Sequence, residues 1–253
     1  MRIPREHPRF ESLRIRELLV KGVRDGIVVP EGLLAHGRGE AFDYLIGERT
    51  GKAAKRAVEA AAASLLTARL PVLSVNGNTA ALVPKEVAKL AFLVPARVEV
   101  NLFHRSVERE KRIGRLLKRY GVKEVLGVGE EASTRIPGIS SRRKMVDPAG
   151  IGSADVIVVP LEDGDRAEAL AKAGKSVIAV DLNPLSRTSR QASITIVDNV
   201  VRAFPALLKE VQRLKKTRRS SLERIVSRFD NEKNLSRGLE EMMRYLTVWR
   251  GKA

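Results

Sequence analysis

The chain has 253 residues, 43% of them hydrophobic and 30% charged, so it can bury a substantial core in one large domain or two small ones. It contains no cysteine, and its three histidines are not paired at metal-ligand spacing, which argues against disulfides, thiolate chemistry and structural zinc. The formal net charge of +17 favours an anionic partner: a nucleic acid, a membrane surface or a phosphorylated small molecule.

The sequence carries no signal for export or membrane insertion. No apolar run approaches the roughly 20 residues of a membrane helix. The first residues lack the apolar segment of a signal peptide. We therefore expect a cytoplasmic protein with no membrane partner.

The first 70 residues are predicted to form an N-terminal helical region. Apolar residues recur at helical spacing over 7–25 and 31–48, and the alanine-rich segment 52–70 favours a helix with a closely packing face. Two glycines flank Arg38 in the second segment, and each costs a helix interior about 1 kcal/mol. Either the helix breaks there with exposed charge, or Arg38 reaches an anion together with Arg16.

From residue 71 the pattern changes to short apolar runs separated by helical segments. This alternation predicts an α/β fold, with a Rossmann-like parallel sheet flanked by helices over 71–216. The predicted strands cover 71–75, 97–101, 124–128, 155–160, 176–181 and 193–197, and the helices that alternate with them or follow them cover 83–93, 105–120, 165–174 and 199–216. Residues 129–153 show no clear element, and we interpret them as a substrate-contacting loop.

A C-terminal helical extension is predicted over 217–253, with a helix that begins near Ser221. Its apolar stripe consists of Leu239, Met242, Met243 and Leu246. The stripe either packs on the N-terminal helices or forms a subunit interface, since surface helices of both kinds show this pattern.

Two neighbouring strand ends predict a nucleotide site, because ligands of open α/β sheets bind where loops follow the carboxyl ends of strands. The strand 176–181 ends in Asp181, which can accept ribose hydroxyls, and Arg187 beyond it can contact phosphate. Taken alone, this segment is more typical of an Asx-type turn. The next strand ends in Asp198 and Asn199, which open a helix with free backbone donors. The two ends together predict an ATP crevice.

A third strand end and one histidine complete the residues of interest. Asn76, Gly77, Asn78 and Thr79 follow the first strand and form either an anion-binding loop or an Asn-Gly turn. P-loop, dinucleotide-binding, kinase and hydrolase signatures are absent from the sequence. His104 is expected to be a hydrogen-bonded core histidine.

Four long stretches carry a family resemblance: SVNGNTAALVPKE, VEVNLFHRSVERE, VDPAGIGSADVIVVPLEDGDRAEAL and AVDLNPLSRTSRQASITIVDNVVRAFP. They closely resemble the archaeal phosphopantothenate synthetase family, the 4-phosphopantoate–β-alanine ligases of coenzyme A biosynthesis. The resemblance covers nearly the whole chain and weakens after about residue 217. It implies a Rossmann-like homodimeric ligase that uses ATP with Mg²⁺ and releases AMP and diphosphate.

The resemblance also implies roles for individual residues. ATP would contact Arg16, Arg38, Asp181, Leu182, Asn183, Arg187, Thr188, Asn199 and Val200. Arg38 and Arg187 are expected to stabilise charge as the substrate carboxylate attacks the α-phosphorus of ATP. The candidates for binding the phosphate of 4-phosphopantoate are Asn76, Gly77, Asn78, Thr79, Arg142, Arg143 and Lys144. We assign no residue as a metal ligand.

Two other functions fit parts of the sequence. Basic clusters over 105–119, 142–144 and 215–219 favour a non-catalytic nucleic-acid-binding protein, but aromatic residues for base stacking make up only 4% of the chain. Another adenosine-binding enzyme, an oxidoreductase or methyltransferase, is the second alternative, since Asp181 suits any ribose. The glycine fingerprint of dinucleotide sites is missing. We therefore predict the ligase, with no specific nucleic-acid partner.

Overall fold

The computed structural model describes residues 4–7, 9–139, 141–161 and 164–251. Three helices precede the sheet, as predicted: α1 (Phe10–Arg24), α2 (Pro30–Leu45) and α3 (Lys52–Thr67). The strands are β1 (Pro71–Val75), β2 (Arg97–Val100), β3 (Thr134–Arg135), β4 (Met145–Val146), β5 (Val156–Pro160), β6 (Ser176–Val180) and β7 (Ile194–Ile196). The other helices are α4 (Gly77–Leu82), α5 (Pro84–Leu93), α6 (Val107–Arg119), α7 (Gly164–Lys172), α8 (Arg187–Gln191), α9 (Val200–Leu214), α10 (Arg219–Arg228) and α11 (Asn231–Arg250).

The predicted α/β fold is confirmed. Five strands form one parallel sheet in the order β2-β1-β5-β6-β7, and β3 pairs with β4 in a separate short antiparallel hairpin. The chain moves outward from β1 to β2 and then returns to the other side of β1 to form β5. Such a reversal of strand order opens a crevice at the carboxyl ends of the two central strands.

Both faces of the sheet are covered, which explains why its strands are nearly continuous apolar runs. Side chains alternate between the faces along each strand. Leu73 and Val158 belong to a core that also contains Leu19 from α1 and Leu222 from α10. Neighbouring residues such as Val72 face the opposite side and pack with α7 and with apolar residues that include Ile136, Val146 and Ile151.

The alanine-rich helix α3 is enclosed by other helices. Its buried small side chains are Ala53, Ala54, Ala57, Ala60, Ala61, Ala62 and Ala63. They let α9, α10 and α11 pack closely against it. The first backbone N–H groups of α3, from Lys52 and Ala53, donate to the Glu241 carboxylate of α11 at 2.9 Å each. The last helix of the chain thereby caps one of the first.

The predicted strand 124–128 is wrong. Leu126 makes two backbone hydrogen bonds with the edge strand β2, donating to the Val98 carbonyl at 2.8 Å and accepting from the Val100 amide at 2.9 Å. The pairing stops at Gly127, which has a φ of 75°. A Cβ there would lie 2.6 Å from the Val100 carbonyl oxygen. The apolar run therefore reaches the sheet edge but forms a single bridge.

Other boundaries also differ from the predictions. The C-terminal extension contains two helices rather than one. Helix α10 ends at Arg228, and Asp230 caps the second helix, α11, by accepting the Lys233 amide at 2.9 Å. Within 129–153, the segment interpreted as a substrate-contacting loop, the described residues form the β3–β4 hairpin and short helical turns. The short helices α4 and α8 were not predicted, since six and five residues are too few to show a helical period.

A break in α2 was one of two alternatives left open by the sequence, and it does not occur, because this helix runs through both glycines beside Arg38. A Cβ at Gly39 would lie 3.3 Å from Cδ1 of Leu182 in the loop after β6. Glycine therefore allows α2 to approach that loop closely. In the described part of the chain, no helix has both the length and the apolarity needed to cross a membrane.

Candidate active site

Two adjoining clefts lie at the carboxyl edge of the sheet. The first, of about 690 Å³, is lined by the loops after β5 and β6, and the second, of about 330 Å³, by the loops after β1 and β2. Four of the described residues line both clefts: Ala35, Arg38, Phe103 and Leu161. The clefts therefore meet beneath α2 at the reversal of strand order, where open α/β sheets bind their ligands.

The point where the clefts meet is held in a fixed geometry by Asn76. Its side-chain amide donates to the carbonyls of Pro160 and Leu161, at 2.8 and 3.2 Å, and so links the ends of β1 and β5. Its Oδ1 accepts the backbone N–H of Thr79 at 2.9 Å. Leu161 has a φ of 53°, a conformation that costs a non-glycine residue about 1–3 kcal/mol and is found mostly at functional sites. The protein's own hydrogen bonds therefore hold Asn76, Pro160 and Leu161 in place where the clefts meet.

Asp181 lies at the end of β6 and lines the first cleft. Its carboxylate accepts the Asn183 N–H at 2.9 Å and the Ser186 hydroxyl at 2.5 Å, so the Asx-type turn considered from the sequence is formed. Burial raises the pKa of Asp181, and the two hydrogen bonds and the charge of Arg38 oppose that rise. Each carboxylate oxygen has a second lone pair. Asp181 can therefore belong to the turn and still accept a ligand hydroxyl.

Arg187 begins α8 and reaches the first cleft from its outer side. Its guanidinium pairs with Asp165 and Glu168 of α7, and the hydrogen bond that it donates to Glu168 raises the pKa of Arg187. The Arg187 side chain is 55% exposed. Ion pairs at such exposure are weak, so a polyphosphate can displace these carboxylates.

The second cleft collects several of the predicted phosphate-binding residues: Asn76, Gly77, Asn78 and Arg143. Thr79 is fully buried, and its hydroxyl donates to Asn76. Arg142 and Lys144 lie outside the described lining of both clefts. Arg142 instead donates to the Arg105 carbonyl at 3.3 Å.

The family model described as phosphopantothenate/pantothenate synthetase matches residues 53–245. The chain belongs to this family. Three relatives named 4-phosphopantoate–β-alanine ligase illustrate the similarity. The one from Thermococcus onnurineus is 50% identical over 259 residues, which cover 100% of this chain and 98% of the relative. That from Methanosarcina mazei is 50% identical over 96% of this chain and 95% of its own. The relative from Methanospirillum hungatei is 55% identical over 80% of this chain and 82% of its own length.

These comparisons confirm the predicted family and the predicted enzyme class, a ligase. They favour the synthetase over both alternatives drawn from the sequence, the nucleic-acid-binding protein and the oxidoreductase or methyltransferase.

The first cleft of the synthetase brings together six of the residues predicted to contact ATP: Arg38, Asp181, Leu182, Asn183, Arg187 and Thr188. Arg16, Asn199 and Val200 lie outside the described lining of both clefts. Arg16 pairs with Glu40 of α2 at 3.0 Å. The Asn199 side chain donates to Asp43 of α2 at 2.9 Å. The Arg16 and Asn199 side chains are thus held by α2, which lines the first cleft through other residues.

The end of β7 forms a buried ionic network in the synthetase. Asp198 accepts from the Thr50 hydroxyl at 2.6 Å and from Arg202 Nε at 2.8 Å, and Arg202 also pairs with Asp43. Burial raises the pKa of Asp198, and the charge of Arg202 opposes that rise. The acceptors that the sequence offered to a nucleotide are used here by the protein itself.

Sequence reasoning missed two basic residues in the described lining of the second cleft. His104, expected in the core, is exposed and lines this cleft, so that expectation is wrong. Arg109 lines it too, because α6 carries its guanidinium to the loop between α1 and α2. The sequence held no signal for Arg109, since it was one of many basic residues in a charged helix.

Proposed function

We propose that this protein condenses 4-phosphopantoate with β-alanine to 4'-phosphopantothenate, using ATP, in coenzyme A biosynthesis. The observation that carries the proposal is the meeting of two clefts, each lined by arginine, at Arg38 and Leu161. Such a reaction requires two phosphorylated substrates to place their reacting groups together. The names of full-length relatives at 50% identity support the same reaction.

The chemistry needs no protein nucleophile. The carboxylate of 4-phosphopantoate attacks the α-phosphorus of ATP, which forms an acyl adenylate and releases diphosphate. The amine of β-alanine then attacks the acyl carbon and releases AMP. Catalysis rests on positioning the substrates and on neutralising the negative charge that builds up on the phosphates.

We assign ATP to the first cleft. Asp181 accepts the ribose hydroxyls, with Leu182, Asn183 and Thr188 beside it, and Arg187 contacts the phosphates. For Arg16, Asn199 and Val200, the predicted contacts with ATP require a movement of α2. We assign the phosphate of 4-phosphopantoate to the second cleft, where Asn76, Gly77, Asn78 and Arg143 lie.

Two arginines are placed to stabilise charge during the reaction. Arg38 lines both clefts and therefore lies where the substrate carboxylate meets the α-phosphate. Arg187 stands on the outer side of the first cleft, where it can take the charge of the leaving diphosphate after it releases Asp165 and Glu168. These interactions strengthen in the transition state and so raise turnover.

The described residues fit a Mg²⁺ ion that is held mainly by ATP. They contain no group of three or more histidine or acidic side chains suited to a metal. Mg²⁺ commonly binds through one or two carboxylates, water and substrate phosphates. Asp165 lines the first cleft and is half-exposed, so it can supply one such carboxylate beside the phosphates. The ion would neutralise phosphate charge there.

We also propose that the protein is a homodimer through α11. The stripe predicted from the sequence is divided: Met242 is buried and Leu239 half-buried, while Met243 and Leu246 are exposed. Trp249 adds a further exposed apolar side chain on this helix. A second copy would cover these side chains. Sedimentation that gives a concentration-independent monomer would contradict this assignment.

Phosphorus NMR of the reaction tests the proposed function. ATP, 4-phosphopantoate and β-alanine together are expected to give AMP and diphosphate in equal amounts, and leaving out either of the other substrates should stop AMP release. Arg38→Gln should lower turnover by about 100-fold or more, as removal of one charge-stabilising donor does. Arg14→Gln is the control, since Arg14 lies on α1, pairs with Glu11 and is outside the described lining of both clefts. ADP as product, or equal efficiency with unphosphorylated pantoate, contradicts the proposal.

A further inference from the structure

Arg109 is a cation of the second cleft whose guanidinium is held by two backbone carbonyls. Its Nε donates to the Ile27 carbonyl at 2.8 Å, and its Nη1 donates to the His104 carbonyl at 2.8 Å. These carbonyls belong to two separate loops, one between α1 and α2 and one after β2. Among the described residues, Nη2 has no acceptor. The guanidinium is therefore oriented by the protein with one donor nitrogen left for a ligand.

Gly77 makes room for this guanidinium. A Cβ on Gly77 would lie 2.6 Å from Nη2 of Arg109 and 2.4 Å from the Ile27 carbonyl oxygen. Any side chain at this position would displace Arg109 from the cleft. Gly77 also lines the second cleft, so its backbone faces the same space as Nη2.

The charge of the second cleft suits a ligand with more than one negative charge. Its described lining contains three arginines, Arg38, Arg109 and Arg143, and one carboxylate, Glu31. Burial lowers the pKa of Arg109, and the charge of Glu31 opposes this effect. A guanidinium that has lost part of its water binds a phosphate more strongly than one in bulk solvent.

The junction of the clefts fixes which end of the acid substrate reaches Arg109. The carboxylate must meet ATP where both clefts are lined by the same residues, at Arg38 and Leu161. The phosphate, at the other end of the molecule, must then lie in the part that only the second cleft contains. Among the described residues, Arg109 and Arg143 are the arginines that line only this part. Apolar Val29 and Leu102 line it as well and suit the dimethyl carbon of pantoate.

We propose that Arg109 binds the phosphate of the acid substrate and makes the enzyme select phosphorylated over unphosphorylated pantoate. The inference rests on the proposed function, because it assumes that the acid substrate occupies the second cleft. It adds a specificity-determining residue that acts on binding of the acid and leaves the ATP site unchanged.

Arg109→Gln tests the inference, with Arg115→Gln as the matched control. Arg115 lies on the same helix, is exposed and lies outside the described lining of both clefts. Removing a hydrogen bond to a charged group should raise KM for 4-phosphopantoate about 10- to 100-fold, with kcat and the KM for ATP within about threefold of wild type. Arg115→Gln should match the wild type in all three. The efficiency ratio between 4-phosphopantoate and pantoate, measured on one preparation, is independent of the folded fraction.

Calorimetric binding of neopentyl phosphate separates this inference from the proposed function. The compound carries the phosphate and the dimethyl carbon without the carboxylate, so its binding requires no turnover. Arg109→Gln should weaken binding of neopentyl phosphate at least tenfold. The affinity of Arg109→Lys should fall between those of the wild type and Arg109→Gln, because lysine keeps the charge but lacks the oriented fork of nitrogen donors. Absence of AMP formation by the wild type would remove the ligase proposal, while this binding would still decide the role of Arg109. Three results for Arg109→Gln would overturn the inference: an equal rise in KM for pantoate and for 4-phosphopantoate, a rise in KM for β-alanine alone, or an unchanged affinity for neopentyl phosphate.

Discussion

The ends of β6 and β7 show the same sequence pattern, an aspartate followed closely by asparagine, and lie side by side in the parallel sheet. After β6, Asp181 forms a turn and still faces a cleft of about 690 Å³. After β7, Asp198 is 1% exposed and bonded to Thr50 and Arg202. One aspartate is available to a ligand, and the other is committed to the fold.

The difference comes from segments that are distant in sequence. Thr50 lies in the loop before α3, and α2 supplies Asp43 to the same network. A buried carboxylate needs donors, and it takes them from protein or from ligand, whichever occupies the space. An acidic residue at a strand end therefore indicates a ligand site only where the protein has not supplied those donors.

The largest effect is expected where the carboxylate is committed to the fold. Asp198→Ala leaves Arg202 partly buried and short of a partner, which should destabilise the protein by about 3 kcal/mol. For a chain of this size the melting temperature should then fall by about 10 °C. Urea and thermal unfolding measure both quantities. Asp198→Ala with wild-type stability would show that the network is dispensable.

Glu99 extends the comparison to a fully enclosed carboxyl. It is 0% exposed and accepts the backbone amides of Asp147 and Ile151, at 3.1 and 2.6 Å. Burial is the main cause that raises its pKa from 4.5 to about 7, while the two hydrogen bonds and the charge of Arg166 lower it. Because the folded pKa is raised, the stabilising contribution of Glu99 is complete below pH 4.5 and is lost as the pH rises through about 7.

Glu99→Gln should remove this pH dependence. The difference in unfolding free energy between the variant and the wild type should rise by up to about 3 kcal/mol, in favour of the variant, between pH 4 and 8. Any part of the difference that does not depend on pH leaves this rise unchanged. Urea unfolding across this range measures the difference. The exposed Glu124, replaced in the same way, is the control for loss of a glutamate at the surface. A constant difference for Glu99→Gln would show that Glu99 ionises normally.

Asp181→Ala should affect the ligand more than the fold. Loss of an acceptor for the ribose hydroxyls should weaken the binding of ATP about 5- to 150-fold, and loss of the turn should lower the free energy of unfolding by about 1 kcal/mol. Asp155→Ala is a matched control, because Asp155 also accepts two backbone amides, from Arg69 and Leu70, at the opposite edge of the sheet. Calorimetry with ATP distinguishes the two variants. Normal ATP affinity after Asp181→Ala would move the nucleotide away from β6.

The smallest effect concerns the ion pairs that hold Arg187 beside the first cleft. Glu168→Gln removes one competitor for its guanidinium, so ATP should bind up to about fivefold more tightly. The increase should shrink at high salt, because exposed charges are screened. Glu223→Gln, at an exposed pair with Arg219 on α10, should leave ATP affinity unchanged. Weaker ATP binding after Glu168→Gln would mean that Glu168 itself helps to place Arg187 for the phosphates.

The sequence by itself determined the fold class and the family. Strands buried on both faces are continuous apolar runs, and alternating helices imply parallel pairing, so local patterns were enough to predict the sheet. The same patterns wrongly predicted a strand at 124–128, because apolar composition does not show that Gly127 ends the pairing. The long motifs were specific enough to indicate the family that the comparisons confirm.

Only the tertiary structure decided which polar residues are available to ligands. Asp181 and Asp198 look alike in sequence, and Arg109 looks like its basic neighbours on α6. Their environments differ because of contacts with residues far away in the chain, such as Thr50 beside Asp198 and Ile27 beside Arg109. Local sequence sets the period of helices and strands, but the partners of a buried polar group are set by packing between distant segments.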